Sequence, residues 1–253
     1  MQRSFLLLLL VAFLCQTSFA APRTAEEWIA QGDDADRHLD TKAALASYLK
    51  AEALRPNDAG LLIKIAKQYG ESMVDVSDDK VKREAGATAL AYAQRAVKAA
   101  PDLSDAHLAV SICYGRMLDL VPARTKVEYS REVKMAAERA VSLDSANDYA
   151  WHMLGRWHQA AADLNGLTKG LVRIVYGGLP ESSFSEAETC FRKAMELNPG
   201  RLAHVVELGR TLGMKGQIKE ARKYINQGLA MPSRERDDPG TKQRGKESLD
   251  GFR

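Results

Sequence analysis

Apolar residues recur along most of the chain at the three-to-four-residue spacing of amphipathic helices, and no long stretch alternates apolar and polar residues. The clearest unit runs over residues 25–58. Its small, aromatic and proline positions are Trp28, Gly32, Ala44, Tyr48, Ala51 and Pro56. Small residues let two antiparallel helices approach closely, aromatic side chains fill the remaining space, and proline cannot continue a helix. The pattern therefore predicts a pair of closely packed helices.

The same pattern returns four more times, and the second helix of successive units ends in a related phrase. These phrases close at positions 56, 101, 145 and 199. The intervals exceed the period of about 34 residues that is typical of tetratricopeptide repeats. The additional residues fall between the two helices of a unit, in inserts centred on 74–84, 116–126 and 163–182. Because stacking depends on helix contacts and tolerates longer connections, we predict an all-α, tetratricopeptide-like right-handed α-solenoid. It has about five helical hairpins, with long intra-repeat insertions along one edge.

Nine residues are predicted to make the close contacts within the hairpins. They are Trp28, Gly32, Ala44, Tyr48, Trp151, Gly155, Ala187, Phe191 and Gly209. Trp157 has two open interpretations: it packs against the long insert, or it stacks on the Arg156 guanidinium or on a ligand.

The first twenty residues have the layout of a secretory signal. Arg3 supplies the positive charge, residues 5–14 are uninterruptedly apolar, and Ser18 and Ala20 are the small residues before a cleavage site. The apolar run is about half of the ~20 residues that cross a bilayer. We therefore expect an exported protein, periplasmic or secreted, with no transmembrane span after cleavage; a retained anchor is the alternative.

The chain is thus divided into a signal peptide at 1–20, a repeat domain at 21–233 and a charged C-terminal tail or weak terminal helix at 234–253. For this last segment the thin apolar content favours a frayed tail. The repeats are placed at about residues 25–58, 59–101, 104–146, 148–200 and 202–233.

Charge and cysteine content narrow the function. The chain has 36 basic and 33 acidic residues, and Arg3 is the only charged residue in the signal segment. Nucleic-acid binding needs a concentrated basic surface, so no nucleic-acid partner is expected. Cys113 and Cys190 remain after processing, each inside an apolar helical pattern, and are predicted to be buried free thiols.

No catalytic or metal-binding string occurs in the chain. His152 and His158 are six residues apart, which separates them by about 240° around a helix and prevents them from sharing a metal. We predict no catalytic residue, no metal, no cofactor and no enzymatic activity. A residual hydrolase hypothesis requires at least two of His152, His158, Asp163 and Glu207 to converge in a closed pocket.

The fourth unit and its surroundings resemble one branch of the repeat superfamily. The phrases that carry the resemblance are Leu154 to Trp157, Ala162 to Leu164, Pro180 to Ala187, Ala194 to Gly200, and upstream His107 to Cys113 and Tyr129 to Asp144. Together they resemble the regulator of microtubule dynamics family, over about residues 24–250. The resemblance implies a tetratricopeptide-like helical domain with binding functions. Animal members are associated with microtubules, and one is similar to a membrane-contact protein that handles lipid. This chain has a signal-like segment where animal members have a membrane anchor, so we carry over the fold and not the microtubule role.

Repeat register places certain helix positions on the inner, concave face of the solenoid. The candidate groove residues are Lys67, Leu108, Arg116, Tyr149, His152, Arg156 and Arg210. A groove that mixes apolar residues with several cations suits a carboxylate-ended peptide or an anionic amphiphile. Alternatively, the cations pair with acidic residues on adjacent helices. We predict a non-catalytic binding protein or scaffold that holds a partner protein or peptide in this groove. The alternative is a carrier or sensor of a lipid-like anionic small molecule.

Overall fold

The computed structural model describes residues 23–252, so the expected signal segment lies outside the described residues. Within this range the chain forms twelve α-helices and two short 3-10 turns, without a strand. The helices are α1 (Ala25–Arg37), α2 (Thr41–Leu54), α3 (Ala59–Ser72), α4 (Asp79–Ala99), α5 (Ser104–Met117), α6 (Ala123–Leu143), α7 (Asp148–Asp163), α8 (Gly166–Tyr176), α9 (Phe184–Leu197), α10 (Leu202–Met214), α11 (Ile218–Ala230) and α12 (Asp238–Gly251).

Ten of these helices pair into five antiparallel hairpins. The pairs are α1 with α2, α3 with α4, α5 with α6, α7 with α9, and α10 with α11. The second helix of each hairpin also packs on the first helix of the next, so most contacts join neighbours along the chain. This arrangement is a solenoid. The predicted all-α solenoid of five helical hairpins is confirmed.

Short polar side chains fix where many helices begin, because they accept hydrogen bonds from backbone N–H groups that have no partner within the helix. At α1, Thr24 and Glu27 form a reciprocal capping box. Side chains that cap other helix starts are Asp40, Asp58, Asp78, Asn147, Asn165 and Ser183.

Glycine lets the two helices of a hairpin approach closely. A Cβ atom on Gly155 would lie 2.8 Å from Cε1 of Phe191, and one on Gly209 would lie 2.8 Å from the backbone N of Ile225. A Cβ on Gly32 would collide with the Tyr48 ring. The residues predicted to pack within the hairpins therefore lie at the helix crossings.

The other predicted packing residues lie in the same interfaces. Ala44 and Ala187 are fully buried. Trp28 is partly buried against the first core cluster, and Trp151 packs against the Leu154 cluster while its Nε1 donates a hydrogen bond to the Ser145 carbonyl at 3.0 Å.

The additional residues between paired helices are present at the predicted places, but most of them form helix. In the second and third hairpins the connections are brief, each with a 3-10 turn at Met73–Asp75 or Leu118–Leu120, and α4 and α6 are extended to 21 residues each. In the fourth hairpin the insert contains the separate helix α8. Gly177 ends α8 in the left-handed conformation (φ 75°), which a glycine adopts without strain.

The charged C-terminal segment forms α12, which packs on α10 and α11. Its contact face consists of small residues: a Cβ on Gly245 would lie 3.1 Å from Val206 and 3.2 Å from Ile225. Phe252 packs beyond the helix end against the cluster around Leu212. The structure therefore has a docked terminal helix where the sparse apolar pattern favoured a frayed tail.

Candidate ligand cavity on the inner face

A cavity of about 670 Å³ opens on the side of the solenoid formed by the first helices of the hairpins. Its walls come from α5, α7 and α10, from the beginning of α6, from α8, and from the beginning of α12. In a helical solenoid this side is the concave face, which such proteins use for binding.

Most of the cavity wall is apolar. Val133 and Met153 lie beside Trp157, and Val172 and Leu179 belong to the insert of the fourth hairpin. The Trp157 side chain is 4% exposed, packs with Leu179, and donates a hydrogen bond from Nε1 to the Ser130 carbonyl at 2.8 Å. Of its two interpretations, the structure shows packing against the insert.

One end of the wall is built on a buried carboxylate. Glu207 in α10 has no exposed surface; its Oε1 accepts hydrogen bonds from Arg156 at 2.8 Å and Arg244 at 3.0 Å, and its Oε2 from Arg210 at 2.5 Å. Burial alone would raise the pKa of Glu207, but the charges of the three guanidinium groups hold that pKa well below its usual range. Three cations thus share one anion.

The excess positive charge of this cluster reaches the cavity. Arg156 and Arg244 both line the cavity, and their side chains remain 37% and 36% exposed. Among the other charged groups in the lining, Arg116 pairs with Asp237 at 2.5 Å, and Glu235 pairs with Arg201, which itself lies outside the lining, at 2.8 Å. Asp238 accepts hydrogen bonds from the backbone N–H groups of Arg234 and Glu235. The end near Glu207 is therefore the electropositive part of the wall.

A stack of neutral rings closes the wall beside this cluster. Tyr149 stacks on His152 with centroids 4.9 Å apart. The Nδ1 of His152 lies 3.0 Å from the Nδ1 of His204, whose Nε2 lies 2.8 Å from Asp148. Burial lowers the pKa of both histidines and raises the pKa of Tyr149 to about 12. At neutral pH all three rings are therefore uncharged.

The linker between α11 and α12, residues 231–237, crosses the inner face and is called the strap below. Arg236 donates a hydrogen bond to the Leu39 carbonyl at 2.9 Å and forms an ion pair with Asp75. Asp237 accepts hydrogen bonds from both Nη atoms of Arg116. The strap thus connects the last hairpin to the first three.

The structure separates the predicted groove residues. Arg116, Tyr149, His152 and Arg156 line the cavity. The other three predicted groove residues do not line this cavity. Leu108 packs in the core against α6 and α7, Lys67 pairs with Asp36 at 2.7 Å and lies near Glu71, and Arg210 pairs with Glu207.

All four predicted cations have acidic partners, as the alternative interpretation of the sequence held. Repeat register did not reveal Arg244 or the contacts of the strap, because Arg236, Asp237 and Arg244 lie beyond the last predicted repeat. The signal that could have found them is the cluster of charged residues after position 233.

The four residues of the hydrolase hypothesis do not converge in a pocket. His152 lines the cavity, whereas Asp163 does not. Glu207 is held by its three arginines, and the Nδ1 of His158 lies 3.1 Å from Glu186. Within residues 23–252 no group of three or more His, Cys, Asp or Glu side chains is arranged to hold a metal ion.

The fold is that of tetratricopeptide-repeat proteins. It is similar to the crystal structure of a thermophilic tetratricopeptide-repeat protein from Thermus thermophilus, with a TM-score of 0.63 at 15% identity over 89% of this chain and 99% of that one. It is also similar to PilF of Pseudomonas aeruginosa, with a TM-score of 0.54 at 12% identity over 90% of this chain and 88% of that one.

The chain belongs to the regulator of microtubule dynamics family: the profile of regulator of microtubule dynamics protein 1-3 matches residues 25–253. Protein 1 of this family from Mus musculus is 23% identical over 86% of this chain and 72% of its own length. Protein 2 from Bos taurus is 20% identical over 69% of this chain, and the match spans 43% of its length. The resemblance stated from the sequence is thereby confirmed.

Proposed function

We propose that this protein is a non-catalytic binding protein whose cavity holds one amphipathic small molecule with an apolar body and an anionic end. The observation that carries the proposal is the juxtaposition of an apolar cavity of about 670 Å³ with the electropositive end formed by Arg156 and Arg244. Cavities of roughly 300–1,000 Å³ with apolar walls and a few convergent polar groups are typical of small-molecule sites.

In this proposal the ligand has one orientation. Its apolar body packs against Met153, Trp157 and Val172, where burial from water supplies the main favourable free energy. Its anionic group faces Arg156 and Arg244, since a guanidinium binds a carboxylate or phosphate through paired N–H donors. Lipid-like acids have this chemistry.

The test is native mass spectrometry of the purified protein, followed by titration of the delipidated protein with a long-chain fatty acid. We expect an acidic amphiphile to copurify. Arg156→Gln and Arg244→Gln should each weaken fatty-acid binding by about tenfold or more, because a hydrogen bond to a charged group contributes roughly 1.5–3 kcal/mol.

Arg192→Gln is the matched control. The Arg192 side chain is 39% exposed and paired with acids, like Arg156, but it does not line the cavity. Equal affinities in the wild type and the two cavity variants, or no binding by the wild type, would contradict the proposal.

A second candidate, a peptide partner on the inner face, is favoured by the strap. Arg116 already holds the carboxylate of Asp237 there, so an acidic peptide could take the same place. Partner capture that is lost in Arg116→Gln and unaffected by Arg156→Gln would support a peptide over a small molecule.

The site of action is also a proposal. We infer that the protein works outside the cytosol, supported by the signal-like residues 1–20. No helix among residues 23–252 is long and apolar enough to cross a membrane. The N-terminal sequence of the protein isolated from its host, together with cell fractionation, tests the inference.

A further inference from the structure

Helix α8 exposes a continuous apolar face. Leu167, Leu171, Ile174 and Val175 are 78%, 54%, 82% and 61% exposed. Their spacing of four, three and one residues places them on one side of the helix. Large apolar side chains that are exposed singly are ordinary on protein surfaces, whereas a contiguous patch marks an interaction site.

No other helix among residues 23–252 exposes more than one large apolar side chain. Those exposed elsewhere are scattered over different elements, such as Leu54 on α2 and Val81 on α4. In α8 four of them lie within nine residues. The unusual feature is their concentration on an inserted helix that the repeat itself does not require.

The polar side of α8, opposite this face, carries charge of one sign. From position 164 to position 180 the sequence contains Lys169 and Arg173 and no acidic residue. A helix that combines an apolar face with basic residues complements a membrane surface of anionic lipids.

The apolar face adjoins the cavity. On the same helix Thr168 and Val172 line the cavity, while Leu171 and Val175 next to them are exposed to solvent. One helix therefore separates the apolar interior from the outer apolar face.

We propose that α8 is an interfacial helix that docks this protein on an anionic membrane surface, with Leu167, Leu171, Ile174 and Val175 inserted between the lipid headgroups. The cavity then opens next to the bilayer, and an amphiphile could pass between the cavity and the membrane. Docking depends only on the outer face of α8, so it can hold whether or not the cavity carries a lipid.

The experiment measures cosedimentation with vesicles made of equal parts phosphatidylglycerol and phosphatidylcholine, and with vesicles of phosphatidylcholine alone. The chain from residue 21 onward is used, because the apolar residues 5–14 would themselves bind lipid and the described helices all lie after them. We expect binding to the anionic vesicles, weaker binding to the neutral ones, and weakening by salt.

Two double variants isolate the face. Leu171→Ser with Ile174→Ser should reduce the partition coefficient by about tenfold or more, since each removed apolar contact with the bilayer weakens association. Leu54→Ser with Val81→Ser is the matched control, because these side chains are 55% and 43% exposed on other helices. Both double variants should keep the circular dichroism and melting behaviour of the wild type, as they change exposed side chains.

Three results would overturn the proposal. The first is failure of the wild type to sediment with the anionic vesicles. Equal loss of binding in both double variants is the second. The third is a wild-type dimer in analytical ultracentrifugation that becomes monomeric in the α8 variant while vesicle binding is unchanged, since a second copy would then cover the face.

Discussion

Glu207 has no exposed surface and is the only acidic partner shared by Arg156, Arg210 and Arg244 among the described ion pairs. We expect Glu207→Gln to lower the free energy of unfolding by about 3 kcal/mol at neutral pH, because removing one member of a buried ion network leaves its partners uncompensated. The value is at the low end of such losses because two of the arginines reach water and can be rehydrated. Chemical denaturation measures it.

The pH dependence of this loss has a definite sign. The pKa of Glu207 is depressed in the folded state, so its contribution is fully present above the unfolded pKa of about 4.3 and is lost as the pH falls below that value. The gap between wild type and Glu207→Gln should stay constant from neutral pH to about pH 5 and narrow below about pH 4. Glu188→Gln is the control: Glu188 also has two cationic partners but is 17% exposed, and its loss should be about 1 kcal/mol or less. If Glu207→Gln lowered the free energy of unfolding by only as much as Glu188→Gln, the burial of Glu207 would not have the central role assigned to it.

At the level of the helices, three glycine positions should respond differently to the same added methyl group. A Cβ on Gly209 would meet backbone atoms of Ile225 and Ala221 at 2.8 and 3.0 Å, which cannot rotate away. A Cβ on Gly155 would meet the buried Phe191 ring at 2.8 Å, and one on Gly170 has no neighbour within 4 Å. We expect Gly209→Ala to lose about 3 kcal/mol and Gly155→Ala about 1–2 kcal/mol, and Gly170→Ala to be neutral or to gain up to about 1 kcal/mol.

Thermal unfolding of the three variants measures the order of their stabilities directly. Gly170→Ala serves as the internal control because it adds the same methyl group inside a helix without a steric contact. If Gly155→Ala and Gly209→Ala unfold at the wild-type temperature, the close approach of α7 to α9 and of α10 to α11 is not as the structure has it.

Glycine positions also show how much of the helix packing could be predicted from the sequence. Gly32 and Tyr48 predicted a helix crossing, because a small residue and an aromatic ring at those spacings are typical of two closely packed helices. The five hairpins were predicted from such pairs. Helix α12 has no comparable pattern: its contacts depend on Gly245 and on Phe252 beyond the helix end. The complete cavity could not be predicted from the repeat pattern for a related reason. Helices α8 and α12 complete its wall, and both lie outside the repeat.

On the scale of the whole molecule, the strap makes contacts between hairpins that are not neighbours, which a simple solenoid lacks. Hairpins that contact only their neighbours leave the overall curvature to the sum of small local interfaces. Here Arg236 reaches Leu39 and Asp75, and Asp237 reaches Arg116, so one short segment holds distant hairpins at fixed separation. The shape of the inner face, and with it the cavity, therefore depends on contacts that span most of the chain.

Releasing the strap should open the solenoid. In the double variant Arg236→Ala with Asp237→Ala we expect the radius of gyration to rise above the wild-type value in small-angle scattering. The free energy of unfolding should fall by about 2 kcal/mol, since charge-assisted hydrogen bonds are lost. Arg192→Ala with Glu220→Ala is the matched control, because it removes an ion pair between the neighbouring helices α9 and α11 without cutting a long-range connection. Expansion in the strap variant alone would show that these ties set the curvature. Superimposable scattering curves would mean that the neighbour interfaces suffice, and the strap would then be a passive occupant of the groove that a ligand could displace without reshaping the protein.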